Sequence, residues 1–300
     1  MNFSTSPAIF RWKPATWLRV TGDDAANFLQ GQFTNELRGV PAGGAVYGLW
    51  LTLKGKVLAD SFVVRGGTGA GGSAAGGAEV FWVGSYFSPA AAIRERLEAY
   101  VIADDVVIED LTTEWAGVTV WGAKVEAGAG DVVFPGRRSR EACAEWMFPV
   151  ARANEVSAAL AGRVELDDEE MERRRIAAAV PAVPVDIGPG DLPGEGGLES
   201  IAISYTKGCY LGQEVMARLK AMGQVRRRLV RVAGSGSLPD ALPAGLFTGD
   251  KRVGEVRSAV RTGGVGWSGL AMISLMQATG GGTYALAVAE EPTVRLIDEQ

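Results

Sequence analysis

Residues Lys207 to Arg218 read KGCYLGQEVMAR, a stretch whose residue choices are too particular to be packing filler. It follows a short apolar run, IAISY at 201–205, whose composition predicts a strand. Gly212-Gln213-Glu214 then opens a predicted helix that ends at Lys220 or Met222, with Gly223 as its C-cap. Cys209 therefore stands just before a helix N-terminus. The positive end of a helix dipole and a nearby ammonium both favour a thiolate, which makes Cys209 the candidate nucleophile and Lys207 its candidate partner. Gly208 and Gly212 allow positive φ or close approach of a ligand. Gln213 and Glu214 fall in the first helical turn, where they satisfy free backbone N–H groups. The same spacing also fits a capped helix whose cysteine is a small buried hydrophobe.

The chain has 300 residues, 47% of them hydrophobic, enough for a large core and for two or three domains. A net charge of −5 argues against a nucleic-acid-binding protein, although a local basic run remains able to bind an anion. No apolar run reaches transmembrane length, and the N-terminal MNFSTSPAIFRW lacks the basic start and apolar stretch of a signal peptide. The expectation is a cytoplasmic monomer with no membrane and no direct nucleic-acid partner. Cys143 and Cys209 are far apart, with no CxxC, so neither a disulfide framework nor a metal site is expected. Histidine is absent. That removes the Ser-His-Asp triad, the Cys-His pair and His-ligated metals, leaving carboxylates, Lys, Tyr, Cys or a cofactor for any proton transfer.

Lys207, Gly208, Cys209, Tyr210, Gly212, Gln213, Glu214 and Arg218 match the pattern K-G-C-aromatic-x-G-Q-E followed by a basic residue. This resembles the signature of the YgfZ proteins, folate-binding relatives of the glycine cleavage T-protein, an aminomethyltransferase. Weaker similarities lie in GDDAANFLQGQFTNEL (22–37), LKGKVLADSFVV (53–64), GEV (254–256) and GLAMI (269–273). The resemblance implies an α+β T-protein-like folate-binding fold of interleaved subdomains over 1–222, with a small antiparallel β-barrel over 223–300. It also implies tetrahydrofolate as cofactor and iron-sulfur enzymes or their assembly proteins as partners. The function it points to is an accessory role in assembly or repair of iron-sulfur enzymes, including tRNA-modifying ones, through Cys209. The alternative it carries is folate-dependent aminomethyl transfer or demethylation.

Taken in order, 15–20 predicts a strand, and Thr21-Gly22-Asp23-Asp24 caps a helix that stops at Gly31. In the T-protein family the following turn lies at the folate cavity, so Gln30, Gln32 and Asn35 are polar candidates, although capping and bracing of the turn is the more common role for such residues. Residues 46–53 and 56–64 predict a hairpin about Lys54-Gly55. The resemblance implies a working acid pair here, of which Ala59-Asp60 keeps only Asp60. GGTGAGGSAAGGA at 66–78 predicts a flexible loop before a strand at 79–83, and Ser88-Pro89 predicts an N-cap and first turn for a helix to Tyr100. Strands are expected at 106–111, 118–121 and 143–148, the last burying Cys143, and a helix at 154–160.

Residues 167–179 predict a helix with a solvated face of Glu169–Arg173 and Glu170–Arg174 pairs. Where the family carries a glutamate that pairs with the pterin, this chain has Ala177. The Pro- and Gly-rich stretch from 181 to 197 reads as an extended loop; the resemblance implies a P-Q-E here, of which LPGE keeps Pro193 and Glu195, so Glu195 is a candidate cavity carboxylate beside the reading of a loop-surface acid. Five short strands are expected after Gly223, with Arg226 and Arg228 on one face and Arg227 on the other. Arg226 is the candidate for the folate glutamate tail.

Overall fold

The computed structural model describes residues 7–66, 79–277 and 282–297. The expected flexible loop at 66–78 therefore falls almost wholly outside the described residues. The chain divides into two compact units, one of Met1–Arg137, Glu141–Leu166 and Ser200–Ala217, the other of Arg138–Arg140, Asp167–Glu199 and Arg218–Gln300.

Among the described residues the first unit holds ten strands: β1 (Ala8–Trp12), β2 (Thr16–Thr21), β3 (Ala45–Leu51), β4 (Val57–Arg65), β5 (Phe81–Ser85), β6 (Val107–Asp110), β7 (Trp115–Trp121), β8 (Val132–Pro135), β9 (Cys143–Pro149) and β10 (Val164–Glu165). They form two five-stranded sheets, β3-β4-β5-β2-β6 and β10-β1-β7-β9-β8. All pairings are antiparallel except β1 with β10. Helices α1 (Ala25–Gln32) and α2 (Ala90–Glu98) bury Phe28, Leu29, Ile93 and Leu97 against the first sheet. α3 (Ala153–Ala159) sets Val156 into the core of the second. Sequence reading misses β1, β8 and β10, which are short or lie beside Pro and Gly.

Aromatic side chains join the two sheets. Between the sheets, Trp82 meets Trp115 at 4.7 Å and Phe62 meets Phe134 at 5.1 Å, while Trp17 stacks on Trp82 at 5.4 Å within the first sheet. Such pairs add roughly 0.5–1.5 kcal/mol each beyond their burial. Gly84 is required by this packing, because a Cβ there would lie 2.5 Å from the Trp17 ring. Trp17, Trp50, Trp82 and Trp267 are all fully buried and belong to the core.

In the second unit, α4 (Asp168–Ala177) precedes six strands, β11 (Arg227–Gly234), β12 (Ala244–Thr248), β13 (Lys251–Arg261), β14 (Trp267–Ser274), β15 (Thr283–Tyr284) and β16 (Val294–Leu296). Their order is β12-β13-β14-β11-β16-β15, all antiparallel. A bridge from Phe247 in β12 to Ala285 brings the two edges together, so the sheet is a nearly closed barrel. The expected barrel is present with six strands, β12 being the one that its Pro and Gly neighbours concealed. α4 closes against the barrel through Ile176 with Val260 and Leu270. Its outer face carries the expected Glu169–Arg173 and Glu170–Arg174 pairs. In chain order α5 (Glu199–Ala202) and α6 (Gln213–Met222) come between α4 and β11.

The inner face of α4 carries Arg175, which the i,i+4 pattern did not distinguish. Its guanidinium is 4% exposed and donates to both Glu172 oxygens, to Asp186 Oδ2 at 2.6 Å, to the Val180 carbonyl and to Ser258 Oγ. Burial works against its charge, and Glu172 with Asp186 outweighs that, holding it above its ordinary value. Removing one member strands the other as a buried charge. Arg175→Met is expected to cost about 3–5 kcal/mol in denaturant unfolding, and Arg175→Met/Asp186→Leu to recover part of the loss.

Candidate functional site

The segment 201–205 is not a strand. α5 ends at Ala202, and Ile201 to Ser204 lie along the turn that follows α1, where their backbone groups find partners outside any sheet. Thr34 Oγ1 donates to the Ala202 carbonyl at 2.7 Å, Asn35 Nδ2 to that of Ile201 at 3.2 Å, and the Ser204 amide to that of Thr34 at 3.0 Å. Asn35 Nδ2 also reaches the Tyr47 carbonyl at 2.9 Å, so this candidate ligand braces the turn.

Lys207 is buried, and its ammonium donates to the carbonyls of Gln30 at 2.7 Å, Phe33 at 2.5 Å and Asn35 at 2.8 Å. These are the carbonyls that the end of α1 and its following turn leave without helical partners. An ammonium has three donors, and all three are taken. The expectation that Lys207 stands against the Cys209 thiolate is corrected by this geometry: the lysine caps a neighbouring helix. Desolvation lowers Lys207 to about 8, while Glu36 acts to raise it and Arg38 to lower it.

Past Lys207 the loop turns outward. Gly208 and Cys209 are exposed, and Tyr210 turns back in with its ring centroid 5.4 Å from Lys207 Nζ. Burial pushes the Tyr210 phenol up to about 12. Gly212 has φ +87, and a Cβ on it would lie 2.9 Å from the Thr52 carbonyl oxygen. Glycine is needed there for both reasons. The Gln213 amide bonds the Tyr210 carbonyl at 3.1 Å as α6 begins, Gln213 is half-buried, and Glu214 is exposed in the first turn. Arg218 is exposed further along α6. Cys143, expected buried, is half-exposed near the start of β9.

The remaining candidates are engaged by their own surroundings. Asp60 is 4% exposed and accepts from Tyr47 OH at 3.0 Å, Ser85 Oγ at 2.7 Å and Ser88 Oγ at 2.7 Å. Burial raises its carboxyl despite these hydroxyls. The Ser88 hydroxyl thus belongs to Asp60, and Pro89 holds the N-cap of α2. Gln32 Oε1 accepts from Arg96 Nη1 at 2.8 Å. In the second unit, Glu195 is 4% exposed and takes Arg227 on both oxygens at 3.0 and 2.9 Å, together with the Leu192 amide at 2.8 Å. Arg227 and Arg257 also share Asp191. Arg226, the arginine chosen from the sequence, is exposed, and its neighbour Arg227 makes the pairs.

These observations test the fit of a folate. A pterin needs an open carboxylate for its ring N–H groups, yet Asp60 and Glu195 are buried in protein hydrogen bonds and position 177 is alanine. The candidate carboxylates do not fit that role as they stand. Among the described residues, no three Cys, Asp or Glu side chains are grouped to hold a metal ion, and no helix is long and apolar enough to cross a membrane.

The Lys207 geometry has a measurable consequence. With its value lowered from 10.5 to about 8, the folded state binds fewer protons than the unfolded one between those limits. The stability of the wild type is therefore expected to rise with pH across that window. Lys207→Met is expected to abolish this rise in paired urea titrations from pH 7 to 10.5, and to cost roughly 1.5–3 kcal/mol at pH 7 through the lost charged hydrogen bonds.

Residues 4–134 match the family model described as the GCVT N-terminal domain. The human mitochondrial iron-sulfur cluster assembly factor IBA57 is 32% identical over 250 residues, covering 77% of this chain and 68% of that protein. The tRNA-modifying protein YgfZ of Photobacterium profundum is 25% identical over 267 residues, covering 82% and 74%. The crystal structure of the glycine cleavage system aminomethyltransferase T from Bartonella henselae superposes with a TM-score of 0.77 at 15% identity, covering 98% of this chain and 85% of that one. That likeness establishes the fold as the T-protein fold. The chain belongs to the YgfZ and IBA57 family of T-protein-like proteins.

Proposed function

We propose that this protein is an accessory factor in the assembly or repair of iron-sulfur proteins, tRNA-modifying enzymes among them, and that it acts through the Cys209 thiol. The observation that carries the reading is the exposed cysteine on a loop whose flanks, Lys207 and Tyr210, are buried. Relatives named for iron-sulfur cluster assembly and for tRNA modification support it. One thiol cannot hold a cluster by itself, so the partner supplies the remaining ligands and no resident cluster is assigned. We place the protein in the cytoplasm and assign it iron-sulfur proteins as partners.

Tetrahydrofolate is the ligand that the family resemblance brings, but Asp60 and Glu195, the carboxylates it would need, are occupied by Tyr47, Ser85, Ser88 and Arg227. The same occupation weakens aminomethyl transfer, which needs a free acid at Asp60.

Two measurements test the reading. Cys209→Ala is expected to unfold within about 0.5 kcal/mol of wild type, as an exposed substitution should, while failing to restore iron-sulfur enzyme activity in a strain lacking the protein; full restoration would overturn the proposal. Calorimetric titration with tetrahydrofolate is expected to give the same result for wild type and Cys209→Ala if a folate site exists apart from the thiol. Absence of heat up to millimolar ligand would leave the thiol as the sole functional element.

A further inference from the structure

The geometry around the cysteine loop points to a division of labour that the sequence does not. We propose that Lys207 is a positioning residue that latches the Cys209 loop to the turn after α1, so that the thiol is presented at a fixed point to a macromolecular partner. This rests on the reading of Cys209 as the functional thiol.

Three observations carry it. First, the Lys207 ammonium gives all of its donors to the carbonyls of Gln30, Phe33 and Asn35. It has none left for a thiolate, so its charge serves α1. The negative end of a helix dipole and unpaired carbonyls are the natural seat of a buried ammonium. Second, the same turn is tied to the chain just ahead of the lysine by Thr34 Oγ1 to Ala202, Asn35 Nδ2 to Ile201 and the Ser204 amide to Thr34. The approach to the loop is thereby fixed at three places on two consecutive residues, Thr34 and Asn35. Third, the far side is fixed independently. Tyr210 is buried, and Gly212 is seated against the Thr52 carbonyl in a conformation that other residues resist.

Between these anchors only Gly208 and Cys209 are exposed on consecutive positions. A thiol on so short a bridge has little freedom to search. Ordering it beforehand lowers the entropy lost when a partner engages it. An exposed nucleophile of this kind suits a protein partner that brings its own electrophile or metal; a small substrate would instead call for an enclosed pocket. The charged groups that act on Lys207 are Glu36 and Arg38, both from the segment following the turn, and Tyr210 faces it from the loop itself.

The test separates positioning from a counter-ion role. Alkylation of Cys209 by iodoacetamide is followed by mass spectrometry from pH 6 to 10, resolving it from Cys143, in wild type and Lys207→Met. Amide hydrogen exchange is measured over 207–213 in the same samples. A latch predicts an unchanged pH midpoint of alkylation and exchange faster by about tenfold or more in Lys207→Met, with partial protection restored by Lys207→Arg. A midpoint that moves upward in Lys207→Met with unchanged exchange would overturn the proposal, since it would mean that the ammonium serves the thiolate.

Should Lys207→Met not fold, Asn35→Ala removes the amide ties to Ile201 and Tyr47 and leaves the lysine in place. It is expected to quicken exchange over 207–213 at an unchanged midpoint, and unchanged exchange would count against the latch. Activity of Cys209→Ala judges the functional reading separately. If that variant is fully active the thiol has no role, whatever the exchange data say about the loop.

Discussion

Three backbone carbonyls and one ammonium decide how the functional loop is held. A helix that ends inside a protein leaves carbonyls that water cannot reach, and they must be satisfied from elsewhere. Here the satisfying group comes from a residue 172 to 177 positions later in the chain. One interaction thus solves the helix-end problem of α1 and fixes the start of the KGCYLGQE loop. The lysine bears a desolvation cost, visible in its lowered value, and the burial of Tyr210 beside it keeps the arrangement dry. Gly212 then turns the chain into α6 against the β3–β4 hairpin, where Gly55 in turn leaves room for Val215 and Met216.

The second unit solves a related problem with arginine. The loop from 181 to 197, rich in Pro and Gly, closes local turns on itself, including a 3-10 turn at Pro193–Gly196. It is held by Asp186, Asp191 and Glu195, which meet Arg175 from α4, Arg227 from β11 and Arg257 from β13. The guanidinium fork suits buried carboxylates because each can be met with two parallel bonds. The chain has no histidine, so no imidazole takes part in this attachment.

The motif, the hairpin at Lys54-Gly55, the helices at 90–98 and 168–177 and the barrel were legible because each has a local signature: Gly at a turn, Pro at a first turn, paired charges at four-residue spacing, alternating short strands. What was not legible depends on partners distant in the chain. Asp60 looks like a ligand until Ser85, Ser88 and Tyr47 arrive, and Ser88 looks like a cap until Asp60 claims its hydroxyl. Glu195 and Arg226 look like two halves of a binding site, whereas Arg227, one residue on and facing inward, is the one that reaches Glu195. Lys207 looks like the cysteine's partner because it is two residues away, but its long flexible side chain turns to acceptors that sequence spacing does not reveal.

The near closure of the barrel bears on how anything can recognise that unit. An open sheet offers a row of unpaired amides and carbonyls onto which another chain can add as a strand. In this barrel the outermost strand β12 already exchanges both main-chain bonds of Phe247 with Ala285, just past β15. The sheet therefore has little main-chain template left at that seam. Recognition at the seam has to be written in side chains, which gives it sequence discrimination that backbone pairing alone would lack.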